Sequence, residues 1–93
     1  MMKFDPGFVY TTRLVAACMV QDEAFGDFVH LSLCRHLSGD WGDLCEDDKA
    51  LNDEAVRVGD ERILSAYEKD GRKIWIITES DRSTTTILFP DEY

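Results

Sequence analysis

The dipeptide Asp70-Gly71, set between residues 62–69 and 72–79, constrains this chain more than any other feature. An Asp-Gly pair flanked by β-branched and aromatic residues specifies a two-residue type I′ hairpin loop. Both loop residues must take positive φ, and the twist of such a turn matches that of the strands it joins. Counting outward from the turn places Glu68 opposite Lys73 and Arg62 opposite Glu79, both pairs of opposite charge. The same register sets Tyr67 against Ile74 and Ala66 against Trp75. A polar loop, 80–83, leads to residues 84–89, rich in Thr and Ile. These predict a third strand and place 73–79 in the middle of an antiparallel meander.

Upstream the pattern is helical. Glu46–Val58 reads as a helix with Asp43 as N-cap, Glu46 three residues on as in a capping box, and Gly59 at the stop. Leu51, Ala55 and Val58 fall on one stripe at helical spacing and are expected to face the sheet. Residues 27–37 predict a second helix with Phe28, Leu31, Cys34 and Leu37 on one side. Residues 8–15 fit a strand, and 16–24 a short helix. The expected class is α+β in one domain over residues 1–93. It comprises a C-terminal three-stranded antiparallel meander, extended to four strands if 8–15 pairs with it, packed by two or three helices on one face.

Charge is concentrated in one window. Residues 40–61 hold nine acids and two bases, so the window is net −7 (two minus nine) within a chain of net −9. In the helix, Glu46 precedes Lys49 by three residues and Asp53 precedes Arg57 by four, spacings that let each pair neutralise itself. Assigning Arg57 to Asp53 leaves Asp47 and Glu54 without a base, two turns apart and roughly 10 Å along the axis. Asp40, Asp43, Asp48, Asp60 and Glu61 also lack an evident local partner. Acids at a helix start favour the macrodipole, which is their ordinary role. A cluster of this density additionally attracts a basic surface. Trp41, between Gly39 and Gly42, reads either as a lid on the core or as an anchor beside the acids.

Catalytic and metal-binding patterns are weak. His36, Ser38 and Asp40 lie within five residues, whereas a hydrolytic triad converges from separate elements. His30 and Cys34 can share a helix face, but His36 points elsewhere and a fourth zinc ligand is missing. The acids near Asp43 lack the DxDxDG spacing of a calcium loop. The expectation is a protein that is not an enzyme and needs no metal or cofactor. Three cysteines without CxxC spacing, and no export signal, suggest reduced thiols in the cytoplasm. No apolar run approaches membrane-span length, and a pI of about 4.4 disfavours direct contact with nucleic acid or an anionic membrane. A monomer is expected.

The segment His36-LSGDWGDLCEDDKALN-Asp53, with RILSAY at 62–67 and KIWIITESDRSTTTILFPDEY at 73–93, resembles a family of short acidic proteins. These are encoded on bacterial plasmids, integrative elements and prophages. SGDWGDL and the ending ITExDRSxTTILxPxEY carry the resemblance, which covers about residues 35–93. Small acidic proteins of mobile elements are in turn similar to anti-CRISPR and anti-restriction proteins, some of which mimic the charge of DNA; this second step is analogy. It implies a non-enzymatic inhibitor whose partner is a basic nucleic-acid-binding protein or complex of a bacterial defence system. The expected contact residues are Asp40, Trp41, Asp43, Asp47, Asp48, Glu54, Asp60 and Glu61. The alternative is a protein–protein interaction module, or an antitoxin-like regulator of another mobile-element protein, bound through Trp41 or the sheet.

Overall fold

A computed structural model describes residues 2–93. The elements run β1 (Phe8–Thr11), α1 (Arg13–Gln21), α2 (Glu23–Leu37), α3 (Glu46–Val58), β2 (Ile63–Lys69), β3 (Arg72–Thr78) and β4 (Thr84–Leu88), closed by a 3-10 turn at Pro90–Glu92. The class is α+β. The strand order is β1-β4-β3-β2, so β2, β3 and β4 form the expected meander with β3 inside it.

The hairpin forms in the register that its turn demands. Glu68 pairs with Lys73, Tyr67 with Ile74 and Ala66 with Trp75, while Asp70 and Gly71 take φ of 54° and 79°. Arg62 lies just outside β2, with its guanidinium 3.9 Å from the Glu79 carboxylate.

The sheet as a whole is mixed, which corrects the expectation of a purely antiparallel one: β1 runs parallel to β4, with Phe8 beside Thr84 and Thr11 beside Ile87. A parallel pair needs a long crossover, and here every other helix and strand intervenes between the two. β1 also stops at Thr11, not at Val15. The Thr12 hydroxyl accepts the Val15 N–H at 3.2 Å and starts α1 there. Asp22 repeats the device by accepting the Phe25 N–H at 3.2 Å, so α2 begins at Glu23, four residues earlier than its apolar pattern suggests. Both caps have the ordinary signature of a short oxygen-bearing side chain three residues before an apolar one.

α1 and α2 cover one face of the sheet. Val15, Phe25, Phe28 and Val29 meet Tyr67, Ile74, Ile76 and Ile87 in the main core. The buried face of α2 is rotated from the predicted one. Leu31 is 62% exposed and Cys34 is exposed, while Ser32 and His36 are buried. Burying two polar groups is tolerated because the sheet supplies hydroxyl partners. His36 Nδ1 lies 2.6 Å from Ser65 Oγ and Nε2 lies 2.9 Å from Thr78 Oγ1. Thr78 Oγ1 is 2.7 Å from Thr85 Oγ1, which donates to the Pro6 carbonyl at 2.8 Å. A carbonyl only accepts, so the direction of the whole chain follows. Thr85 gives its proton to Pro6, Thr78 gives its own to Thr85, and His36 therefore donates from Nε2 to Thr78. Nδ1 is left to accept from Ser65. That last role rests on burial, which holds the imidazole in its neutral form and so selects one tautomer.

α3 joins this helical layer at its rim, beside β2. Here the predicted stripe is corrected: Leu51 is 68% and Val58 49% exposed, and the inward residues are Asn52 and Ala55. The reason lies in the strand edge. The main chain of Leu64 turns outward from β2, and the Asn52 side chain meets it, donating to the Leu64 carbonyl at 2.7 Å and accepting its N–H at 3.3 Å. An amide standing in for a neighbouring strand is worth more at this position than another apolar side chain. Two residues on, Ala66 receives the same treatment from the loop, donating to the Trp41 carbonyl and accepting from the Asp43 N–H at 2.7 Å. Gly42 lies between them at φ 77°, and a Cβ there would sit 1.9 Å from the Ala66 carbonyl oxygen. Only glycine fits so close to the strand.

Candidate functional site

The acidic window folds into a loop (40–45), α3 and a second loop (59–62) beside β2. Its eight predicted contact residues separate into three groups. The first is neutralised. Asp40 receives two hydrogen bonds from Arg35, from Nε at 2.7 Å and Nη2 at 3.1 Å, and a third from the Gly42 N–H. The Arg35 bonds hold the Asp40 carboxyl below its usual range. Glu54 receives Arg57 Nε at 3.1 Å, and that bond lowers its pKa in the same way. The expected Asp53–Arg57 pair does not form. Arg57 takes Glu54 three residues back, and Asp53 instead accepts the Trp41 indole N–H at 2.8 Å. Asp47 and Glu54 therefore do not make the expected matched pair of free charges.

Trp41 makes up the second group. Its side chain is 3% exposed, stacked on Phe4 and packed with Ala55 and Ile63. It acts as the lid on this end of the core, and its ring is not presented to a partner.

The third group comprises Asp43, Asp47, Asp48, Asp60 and Glu61. All five are exposed, and no described base pairs with their side chains. Asp60 and Glu61 sit near Arg82, whose Nη1 donates to the Glu61 carbonyl at 2.6 Å and Nη2 to the Ala55 carbonyl at 3.0 Å. That cation ties down the end of α3 and offsets negative potential there. The uncompensated charge is therefore densest at the start of α3, where Asp43, Asp47 and Asp48 lie with Glu46, which is 3.8 Å from Lys49.

The same acids serve the helix. Asp43 is not the N-cap; Cys45 is, and it makes no side-chain cap bond. The first-turn N–H groups thus lack the usual side-chain acceptor, and Glu46, Asp47 and Asp48 offset their partial positive charge electrostatically.

Next to these acids is a surface depression of about 270 Å³, lined by Leu44, Asp48, Leu51, Asn52, Arg62 and Leu64. Leu51 forms an apolar wall of it, a feature that the sequence pattern assigned to the core. The inward Asn52, held by the Leu64 main chain, turns Leu51 out by one helical step of about 100°, which no pattern within the helix announces.

The residues weighed for chemistry do not converge. His36 is sealed in the hydroxyl chain, the Ser38 hydroxyl donates to the Cys34 and Arg35 carbonyls, and Asp40 is held by Arg35. Among the described residues no three His, Cys, Asp or Glu side chains are grouped as a metal site. The three cysteines are free thiols, and no described helix is long and apolar enough to cross a membrane. No family model matches the chain, and no curated protein or solved structure matches it either.

Proposed function

We propose that this protein is a non-enzymatic inhibitor from a mobile genetic element that occludes a basic nucleic-acid-binding surface of a bacterial defence complex, of the anti-CRISPR or anti-restriction type. The observation that carries the reading is the group Asp43, Asp47 and Asp48: exposed, close together at one helix end, and without a described basic partner. A groove that binds phosphates meets in them a fixed negative surface. Association driven by such charges is fast and salt-sensitive. Asp60 and Glu61 extend the surface past the other end of α3, while Asp40 and Glu54 are already spent on arginines.

The test is protection of an incoming phage or plasmid in a host that carries the targeted defence system. Reversing Asp43, Asp47 and Asp48 to Lys should abolish protection, and reversing Asp5 and Asp91 should not. In vitro, added salt should weaken binding as the reversals do, because exposed charges are screened within about 10 Å at 0.1 M.

The depression beside Asp48 supports a second reading, an interaction module that receives an apolar side chain between Leu44, Leu51 and Leu64. In that case Leu51→Asp abolishes binding, while the triple charge reversal and added salt leave it intact.

A further inference from the structure

The two edges of the sheet are treated differently. On β2, the outward main chain of Leu64 is taken by Asn52 and that of Ala66 by the loop at Trp41 and Asp43. On β1 nothing comparable is present among the described residues. Phe8 donates its N–H to the Ser83 carbonyl at 3.0 Å and Thr12 to the Ile87 carbonyl at 3.0 Å. Alternate residues of a parallel strand bond inward, so Phe8 and Tyr10 engage β4 while the N–H and C=O of Val9 and Thr11 point away from the sheet. All four residues of the strand are exposed, Phe8 at 72% and Tyr10 at 53%. Soluble proteins blunt such an edge by keeping it very short, or with Pro, a charged side chain, a bulge or a covering element; β1, at four residues, has only its shortness. The sequence Phe8-Val9-Tyr10-Thr11 supplies no Pro and no charge, and the exposure of all four residues shows no covering element.

We propose that β1 is a pairing edge for a second copy of this chain, joined antiparallel about a twofold axis at Tyr10. Outward-facing main-chain donors and acceptors call for another strand, and the identity of that strand follows from register and charge. Only Val9 and Thr11 offer outward groups. An antiparallel match therefore sets Val9 of one copy opposite Thr11 of the other, each such pair exchanging both main-chain bonds. Tyr10 then faces Tyr10 of the second copy across a non-hydrogen-bonded position, where side chains lie closest. The neighbouring Phe8 rings, 6.5 Å from the Tyr10 rings within each copy, flank this contact on the same sheet face. The strand is thus complementary to itself, and aromatic cross-strand contacts stabilise it.

Electrostatics agree. β1 is uncharged, and the acids of α3 lie beside β2, at the opposite end of the strand order. A β1–β1 junction makes one continuous sheet and keeps the two acidic surfaces at its far ends, outside one Debye length of each other. A basic partner, by contrast, finds no complementary charge on β1. This departs from the monomer expected from the sequence. The strand is short, so its contact falls at the small end of specific interfaces and yields a reversible, concentration-dependent dimer.

The experiment is sedimentation velocity on the full chain over a wide concentration range, paired with amide hydrogen exchange at low and high concentration. The expected result is a sedimentation coefficient that rises with concentration. Exchange at the Val9 and Thr11 amides should slow in step with it, while that of Tyr10, already bonded to β4, changes little. Val9→Pro blocks the edge without removing a bond within the chain, and Tyr10→Lys sets like charges face to face. Either should hold the protein monomeric with an unchanged circular dichroism spectrum. A parent chain that stays monomeric throughout would overturn the proposal. So would a dimer that survives both substitutions or forms without protecting Val9 and Thr11. Capture of a foreign strand at this edge by a monomeric parent would likewise overturn the second-copy assignment.

Discussion

The indole N–H of Trp41 donates to Asp53 Oδ1 at 2.8 Å, and this contact decides which acid of α3 its one late base neutralises. With Asp53 held by Trp41, Arg57 turns to Glu54, and the two charges of that pair cancel on the helix surface. A buried aromatic thus sets the charge pattern of an exposed face.

The first prediction tests that contact. A double-mutant cycle with Trp41→Phe and Asp53→Ala, followed by chemical denaturation, should return a coupling of about 1.5–3 kcal/mol, as for a hydrogen bond to a charged acceptor. Zero coupling would show that the bond contributes nothing in solution.

Acid should destabilise the fold through His36. Burial lowers its pKa from 6.5 to about 3, and its neighbours are the Ser65 and Thr78 hydroxyls and the Phe4 and Trp41 rings, none of them charged at neutral pH. Below pH 6.5 the unfolded chain binds a proton there that the native chain refuses. Stability contributed by neutral His36 is therefore complete above that pH and is lost as pH falls toward 3, at about 1.4 kcal/mol per pH unit. His36→Asn should lower stability at neutral pH and flatten this slope. An equal slope in parent and variant, measured by denaturation between pH 6.5 and 4.5, would assign the acid sensitivity to other groups.

Asn52→Ala should cost about 1–3 kcal/mol, because it strands the outward N–H and C=O of Leu64 beside a helix. Its signature is local: amide exchange at Leu64 should accelerate more than at Ile76 in the sheet interior. Asn52→Asp keeps the acceptor for the Leu64 N–H but sets a carboxylate oxygen against the Leu64 carbonyl at a buried position, and should cost at least as much as Asn52→Ala. Uniform acceleration across the sheet would mean that Asn52 supports the fold as a whole and not this edge.

Two apolar truncations separate surface from core. Leu51→Ala, at a position 68% exposed, should change stability by less than about 0.5 kcal/mol. Ile76→Ala, at a position 0% exposed, should cost about 2–5 kcal/mol. Similar costs for the two, measured by urea denaturation, would restore the apolar-stripe reading of α3.

What the sequence determined alone is what short-range rules govern. Asp70-Gly71 admits one tight turn, a turn of that type dictates which residues face each other, and the pairing of Glu68 with Lys73 and Tyr67 with Ile74 follows within nine residues of chain. Gly59 ends α3 for an equally local reason, since its φ of 87° suits glycine above other residues. The caps at Thr12 and Asp22 were legible by the same rule, although the apolar pattern of 8–24 obscured them. The rest was decided by partners that no local pattern can register. β1 is parallel because it adds to β4 from the other end of the chain. Asn52 faces inward because Leu64 presents an unpaired edge, and His36 is buried because the Ser65 and Thr78 hydroxyls wait on the sheet. Periodicity measures average hydrophobicity along one element. The main-chain and side-chain groups that reward a buried Asn or His belong to another element, and only the folded chain brings the two within hydrogen-bonding distance.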